Sequence, residues 1–349
     1  MCPHKCTIKN SGAMKFDISA IGNALVDTQF MVENTFLDSV NLAPDQMMLV
    51  TYEEQKEILN KLESLNLEST IDCGGSATNS LVAASYYGSK CNHICKINND
   101  EDGKRYFQSL EAAGVNHAGM STNNIDKQTG KCLILVNPQA QRTMCSALGI
   151  SEYLDIHDFD MTDAINSKIF FIEGYMVTSE SNFNTVIHVL ESLKDTKTQT
   201  FLSLSDQSIV NIFRDRFSSI MSYNIDFVFG NHDEAMTFTQ TSSLEAAVEA
   251  MKNQNFISII TCGAEGSILI NGEDVIRSSA QQIKPVDTNG AGDMFAGSFM
   301  HAFLNDYNYG DCLAFANLAA SKIVETFGPR LQQHEYKDLA SQLKNIKNS

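Results

Sequence analysis

Basic residues are scarce in this sequence. Its 349 residues carry 25 Lys and Arg against 42 Asp and Glu, a formal net charge of −17. Binding to nucleic acid draws on a basic face, so no nucleic-acid partner is expected. The same shortage means that any phosphate this protein handles must be met by backbone amides, a helix end, Mg²⁺ and at most an isolated arginine. Long apolar runs are also missing. No uninterrupted stretch approaches the roughly 18 residues of a membrane span, and Met1 to Asn23 lacks the charged-then-apolar order of a secretory signal. A cytoplasmic protein without membrane association is the expectation. There is no internal repeat and no low-complexity linker. Nine cysteines, an odd number scattered from Cys2 to Cys312, do not form a disulfide framework in a chain of this size, so reduced thiols are expected. Neither Cys2-His4-Cys6 nor Cys91-His93-Cys95 has the matching second half of a structural zinc site, and both read more simply as thiols of a terminus and of a strand.

What is present is an alternation of short apolar runs with helical patterns. Phe16 to Ile21, His93 to Ile97, Ile169 to Ile172, Thr200 to Leu204, Phe227 to Phe229 and Ile257 to Thr261 read as strands. Helices are predicted over Tyr52 to Leu65, Asn79 to Tyr87, Gly103 to Ala113, Phe183 to Leu193, Ser243 to Lys252, Gly292 to Leu304 and Tyr309 to Glu325. This order predicts an α/β fold with a mostly parallel central sheet and helices on both faces, with ligands at the carboxyl ends of the strands. Two stretches interrupt it. Residues 28–50 and 128–147 hold strand-like segments without intervening helices and are expected to pair as a small β-sheet lid. The large domain is then 1–27, 51–127 and 148–349, with a frayed tail from Lys344.

The chemistry concentrates in Asp287-Thr288-Asn289-Gly290-Ala291-Gly292-Asp293, followed at once by an apolar helical run. Small residues let backbone N–H groups turn toward an anion, and the helix behind them points its positive end the same way. A carboxylate beside such a hole repels phosphate unless it has a task, and taking a proton from an attacking hydroxyl is one. Other segments are weaker alone. Asp72 to Asn79, DCGGSATN, is a glycine pair before a helix, where Ser76 and Asn79 could bond hydroxyls; it is also an ordinary turn and cap. Asn23 and Asp27 fall just after the first strand, where an Asp is usually a turn former. Asn231 to Glu234 could hold Mg²⁺ through its waters, and is equally a helix start capped by Asn231. Thr261 to Gly266 offers a small-residue loop or a simple hairpin.

In this order these segments resemble the ribokinase-like, or PfkB-type, kinase family from about Phe16 to Arg330. The DTNGAGD block is similar to the family's second signature. The resemblance implies a ribokinase-like fold with a lid, Asp293 as general base, and Gly290, Ala291 and Gly292 as the anion hole. It further implies Mg²⁺ near Asn231 and Glu234, the acceptor at Gly74 and Gly75, and ATP as phosphoryl donor along Thr261, Gly263 and Gly266, with Asn317 by the adenine ring. Arg142 resembles a lid arginine reaching the transferring phosphoryl, a task its planar fork suits. Asp287 and Asn289 are the implied K⁺ candidates. Leu81, Cys95 and Ser298 depart from the usual pattern without removing a phosphate-binding or proton-transfer group. Gly74-Gly75-Ser76 and the Asn23 to Asp27 spacing look like the adenosine-phosphorylating branch, and Tyr175 falls where those enzymes set an aromatic against the purine. The expected reaction moves the γ-phosphoryl of ATP to the 5′-hydroxyl of adenosine. A kinase for ribose, fructose or another free sugar, and a catalytically silent sensor on the same fold, are the other readings. Family members occur as monomers and as dimers joined through the lid, and the sequence does not choose.

Overall fold

The computed structural model describes residues 14–44, 46–121, 125–139 and 141–346. Cys2, His4 and Cys6 lie outside them. A nine-stranded sheet runs in the order Asp274–Ser278, Ser267–Asn271, Ile257–Thr261, Phe227–Asn231, Gln199–Ser203, Ser167–Ile172, Phe16–Ile21, Cys91–Ile94 and Asn116–His117. Every pairing from Ile257–Thr261 to Asn116–His117 is parallel, and the first three strands meet antiparallel. Parallel strands need both faces covered, and the side chains divide accordingly. Ile169, Phe171, Phe201, Phe227 and Phe229 enter one core, while Phe170, Ile172, Leu202 and Val228 enter the other. Helices Ser76–Tyr87, Ala291–Leu304 and Tyr309–Ile323 build the first layer, and Glu180–Leu193 with Arg214–Met221 the second.

The strand order reverses between Phe16–Ile21 and Ser167–Ile172, so their following loops diverge and leave a crevice. The Glu173 N–H, donating to the Ile21 carbonyl at 3.0 Å, marks its floor.

A second sheet, in the order Met47–Leu49, Arg142–Ala147, Gly130–Val136, Leu25–Met31 and Ser69–Gly74, lies over this crevice. It is built with period two. Leu133, Leu135 and Cys145 point away and pack with Phe36, Leu37 and Leu62 of helices Asn34–Ser39 and Tyr52–Ser64, whereas Cys132, Ile134, Arg142, Met144 and Ser146 face the crevice.

Several local expectations change. The small sheet reaches beyond 28–50 and 128–147: it starts at Leu25 and recruits Ser69–Gly74. Residues 28–50 are not free of helix, since Asn34–Ser39 is helical. Asp27 is no turn former but lies inside a strand paired on both sides, to Asp72 and Cys132. Instead of fraying at Lys344, helix Gln333–Ile346 continues to Ile346, anchored by buried Tyr336, Leu339 and Leu343. Cys91 and His93 sit on a buried strand with Cys95 just beyond it, and no group of three metal-ligating side chains exists among the described residues. The seven described cysteines are unpaired. No helix among the described residues is long and apolar enough to cross a membrane.

Candidate active site

Helix Ala291–Leu304 starts at Gly290, whose φ of +74° is left-handed. A Cβ there would lie 2.6 Å from the Pro329 carbonyl oxygen, so both conformation and space require glycine. Two residues on, a Cβ at Gly292 would meet nothing within 4 Å, because the first helical turn opens on a cavity. The N–H groups of that turn have no helical partners of their own; that of Ala291 donates weakly to the Thr288 carbonyl at 3.3 Å, and the open space before the turn leaves room for an anion.

Asp293 is in this turn. Its Oδ1 accepts from Ser76 Oγ at 2.6 Å and its Oδ2 from Asn79 Nδ2 at 2.9 Å, linking the two helices that begin at the crevice. Burial raises its pKa, opposed by those hydrogen bonds and by the charges of Arg142 and Arg330. Ser76 and Asn79, expected to meet substrate hydroxyls, thus hold the carboxylate in place.

Two cavities, of about 380 and 450 Å³, adjoin at Asp293, Gly292, Ser76 and Arg142, which belong to the walls of both. The first lies under the small sheet. Asn23, Asp27, Gly75 and Glu173 line it together with the apolar Leu25, Met47, Leu49, Ile134, Met144 and Leu148 and with Tyr175, and Met47, Met144 and Ile134 stand in register across the small sheet. Gly74 lies behind Asp27, close against its carboxylate. Asp27 is pushed up to about 8 by burial, then by the carboxylate of Asp72. Asn23 is more committed than expected: Nδ2 donates to Glu173 at 3.1 Å, and Oδ1 accepts from Ser151 and Asn182 at 3.3 and 3.2 Å. At most one N–H of that amide is left for a ligand. Glu173 also accepts from the Ala77 N–H at 2.8 Å, and burial raises it to about 7. Tyr175 donates to the Ser205 carbonyl at 3.3 Å, which fixes its ring at the cavity edge.

The second cavity is lined by Thr261, Gly263 and Gly266, by Ile283, Pro285 and Val324, and by Asn317. The Thr261 to Gly266 loop is in fact a hairpin connection, and it also walls this cavity. Asn317 Nδ2 donates to the Ser278 carbonyl at 3.0 Å. Between the cavities stands Asn231, capping helix His232–Thr239 in a reciprocal box with Glu234, whose Oε1 and Oε2 accept from Asn231 Nδ2 and N–H at 2.6 and 3.0 Å. Burial pushes Glu234 up to about 7, with Asp206, Asp233 and Asp293 adding to it. This supply of buried carboxylate suits a divalent cation held through water and phosphate; a cage of protein ligands is not what these residues form.

The small sheet is tied twice to the loop before helix Ala291–Leu304. Gln29 Nε2 donates to Asp287 Oδ2 at 2.9 Å, and Arg142 Nη1 to Asn289 Oδ1 at 3.0 Å. The Nε of Arg142 is buried without a partner, a charged donor available at the junction. Sequence reasoning missed Glu173, Gln29, Asp206 and Arg330. Glu173 and Asp206 follow strands, and that position was the available signal; Gln29 and Arg330 gave none.

Residues 36–335 match the model of the pfkB family of carbohydrate kinases. The chain belongs to this family. It is a phosphotransferase with an alcohol group as acceptor, on the ribokinase-like fold. Among proteins similar to this PfkB kinase, an adenosine kinase of Saccharomyces cerevisiae is 24% identical over 342 residues, covering 90% of this chain and 97% of that protein. A ribokinase of Dictyostelium discoideum is 27% identical over 254 residues, 68% and 78% of the two chains. The crystal structure of adenosine kinase from Sinorhizobium meliloti superimposes with a TM-score of 0.85 at 25% identity, covering 95% of this chain and 99% of that one. A probable sugar kinase from Rhizobium etli gives 0.86 at 24%, covering 96% and 99%.

Proposed function

We propose that this kinase transfers the γ-phosphoryl group of ATP to the 5′-hydroxyl of adenosine, giving AMP. The observation that carries the reading is the mixed lining of the first cavity. Its buried carboxylate at Asp27 suits the hydroxyls of a ribose, and its apolar wall of Met47, Met144 and Ile134, aligned in register across the small sheet, suits a base. A free sugar carries hydroxyls all round and would leave them unpaired against that wall, at a cost of about 1–3 kcal/mol for each buried group. The Tyr175 ring adds a surface on which a purine can stack, about 1 kcal/mol beyond burial.

Asp293 takes the proton of the 5′-hydroxyl as that oxygen attacks the γ-phosphorus in line. The amides of Gly290, Ala291 and Gly292 and the guanidinium of Arg142 receive the charge that moves onto the transferring group and its leaving oxygen. Thr261, Gly263, Gly266 and Asn317 border the space for the nucleotide. Mg²⁺, held through water by Glu234 and Asn231, supplies neutralisation of the donor phosphates when bound. The small sheet excludes water from the junction and so limits hydrolysis. A K⁺ beside Asp287 and Asn289 has less to draw on, because the Asp287 carboxylate already accepts from Gln29, Asn289 and Gly328, so such an ion would rely on backbone carbonyls as well.

Coupled ADP-release assays with adenosine, inosine, guanosine, ribose and fructose test the reading. A dominant adenosine signal is expected. A dominant ribose or fructose signal would replace it with the sugar-kinase reading, and silence with measurable binding with that of a sensor.

A further inference from the structure

Arg330 follows the loop whose Pro329 carbonyl abuts Gly290. Its Nε donates to Asn79 Oδ1 at 3.0 Å, Nη1 donates to Ser109 Oγ at 2.8 Å, and Nη2 is buried without a partner. Asn79 passes the contact on through Nδ2 to Asp293 Oδ2.

A guanidinium can only donate. Asn79 must therefore show its oxygen to Arg330 and its NH₂ to Asp293, and the amide cannot flip without setting donor against donor. The NH₂ likewise cannot accept. Protonating Asp293 Oδ2 would leave the Asn79 N–H donating to the poorly accepting hydroxyl oxygen of a neutral acid, whereas protonating Oδ1 leaves it donating to the carbonyl oxygen. Oδ1 faces Ser76, whose hydroxyl both donates and accepts and is free to rotate.

We propose that Arg330, acting through Asn79, is a positioning residue that determines which oxygen of Asp293 receives the acceptor's proton: Oδ2 is kept as a permanent acceptor, and the proton goes to Oδ1 while the Ser76 hydroxyl turns from donor to acceptor. The proposal rests on the reading of Asp293 as the base. In the step the acceptor O–H bond breaks, its proton bonds to Oδ1, and its oxygen forms the new bond to the γ-phosphorus. The electron pair of the broken phosphoanhydride bond leaves on ADP.

The ionisable groups that act on Asp293 are Arg142 and Asp27 from the small sheet, Glu173 and Tyr175 from the end of strand Ser167–Ile172, Glu234 from helix His232–Thr239, and Arg330. Arg330 and Arg142 are the cations among them, and both favour the ionised base. Arg330→Met should lower kcat by roughly tenfold to a hundredfold, the effect of a misplaced reacting group, and move the acidic limb of the kcat profile to higher pH. The KM of the acceptor should rise less than kcat falls. Arg330→Lys keeps the charge but cannot hold Asn79 and Ser109 together, so its limb should stay while kcat falls. Wild-type kcat and limb in Arg330→Met would overturn the proposal; if that variant does not fold, wild-type kcat in Arg330→Lys overturns it equally. Asp293→Asn, assayed alongside, separates the two layers. Activity retained there removes the base reading itself, whereas an inactive Asp293→Asn beside a normal Arg330→Met removes only the relay.

Discussion

The carboxylate of Asp27 occupies the space that a side chain at position 74 would need: a Cβ on Gly74 would overlap both of its oxygens. Glycine at 74 is thus a condition for the Asp27 carboxylate to stand where it does, lining the first cavity with Gly75 and Asn23. Gly74→Ala should displace Asp27 at an overpacking cost of about 1–3 kcal/mol, raising the acceptor KM by roughly tenfold to a hundredfold. Nucleotide binding in the second cavity should not change, and isothermal titration with ATP analogues checks that half of the prediction.

Asp27 also makes the ligand-free protein sensitive to pH. An aspartate with an ordinary pKa of 3.8 is raised here to about 8. Between those values the folded state keeps a proton that the unfolded state has lost. The stability associated with Asp27 is therefore fully present below the unfolded pKa and declines as pH rises toward the folded one. Glu173 and Glu234, each raised to about 7, act in the same direction. Between about pH 5 and 8, the Tm of Asp27→Asn should fall less steeply than that of the wild type, and scanning calorimetry at several pH values reads the difference.

Glu234 is both a cap and a buried carboxylate, and the two roles can be separated. Gln at this position can still accept from the Asn231 N–H and so keeps the backbone half of the capping box, but its NH₂ then faces Asn231 Nδ2, so Glu234→Gln should still fold and melt modestly below the wild type, by about 1 kcal/mol of stability. It removes the charge, and the Mg²⁺ concentration for half-maximal activity should rise on the order of tenfold. A Mg²⁺ titration that overlays the wild type would exclude Glu234 from the metal's surroundings.

The fold was legible where one element explains itself. Strands Phe16–Ile21 and Ile257–Thr261 lie where their apolar runs place them. Helix Ser76–Tyr87 starts three residues before the predicted Asn79 because Gly75, with no side chain to cap it, gives no start signal. Strand Ser69–Gly74 escaped notice for a related reason: its first three residues are exposed, so no apolar alternation marks it. Within the site, DTNGAGD could be read as one unit because loop, helix start and carboxylate are contiguous. Arg330 could not, since its partner Asn79 is 251 residues away, and Gln29 meets Asp287 across 258. Contacts of that span depend on the packing of whole layers, which one sequence does not display. Asn23 shows the converse limit: the residue was visible, but its commitment to Glu173, Ser151 and Asn182 was not.

The most direct test concerns Asp293, held between Ser76 and Asn79 at the meeting of the two cavities. Asp293→Asn keeps the shape and removes the basic oxygen. With adenosine, ATP and Mg²⁺ supplied, its kcat should fall by about 10²- to 10⁴-fold, while calorimetric titration still finds adenosine bound within severalfold of the wild-type affinity. A variant that binds adenosine and turns over at close to the wild-type rate would contradict the account.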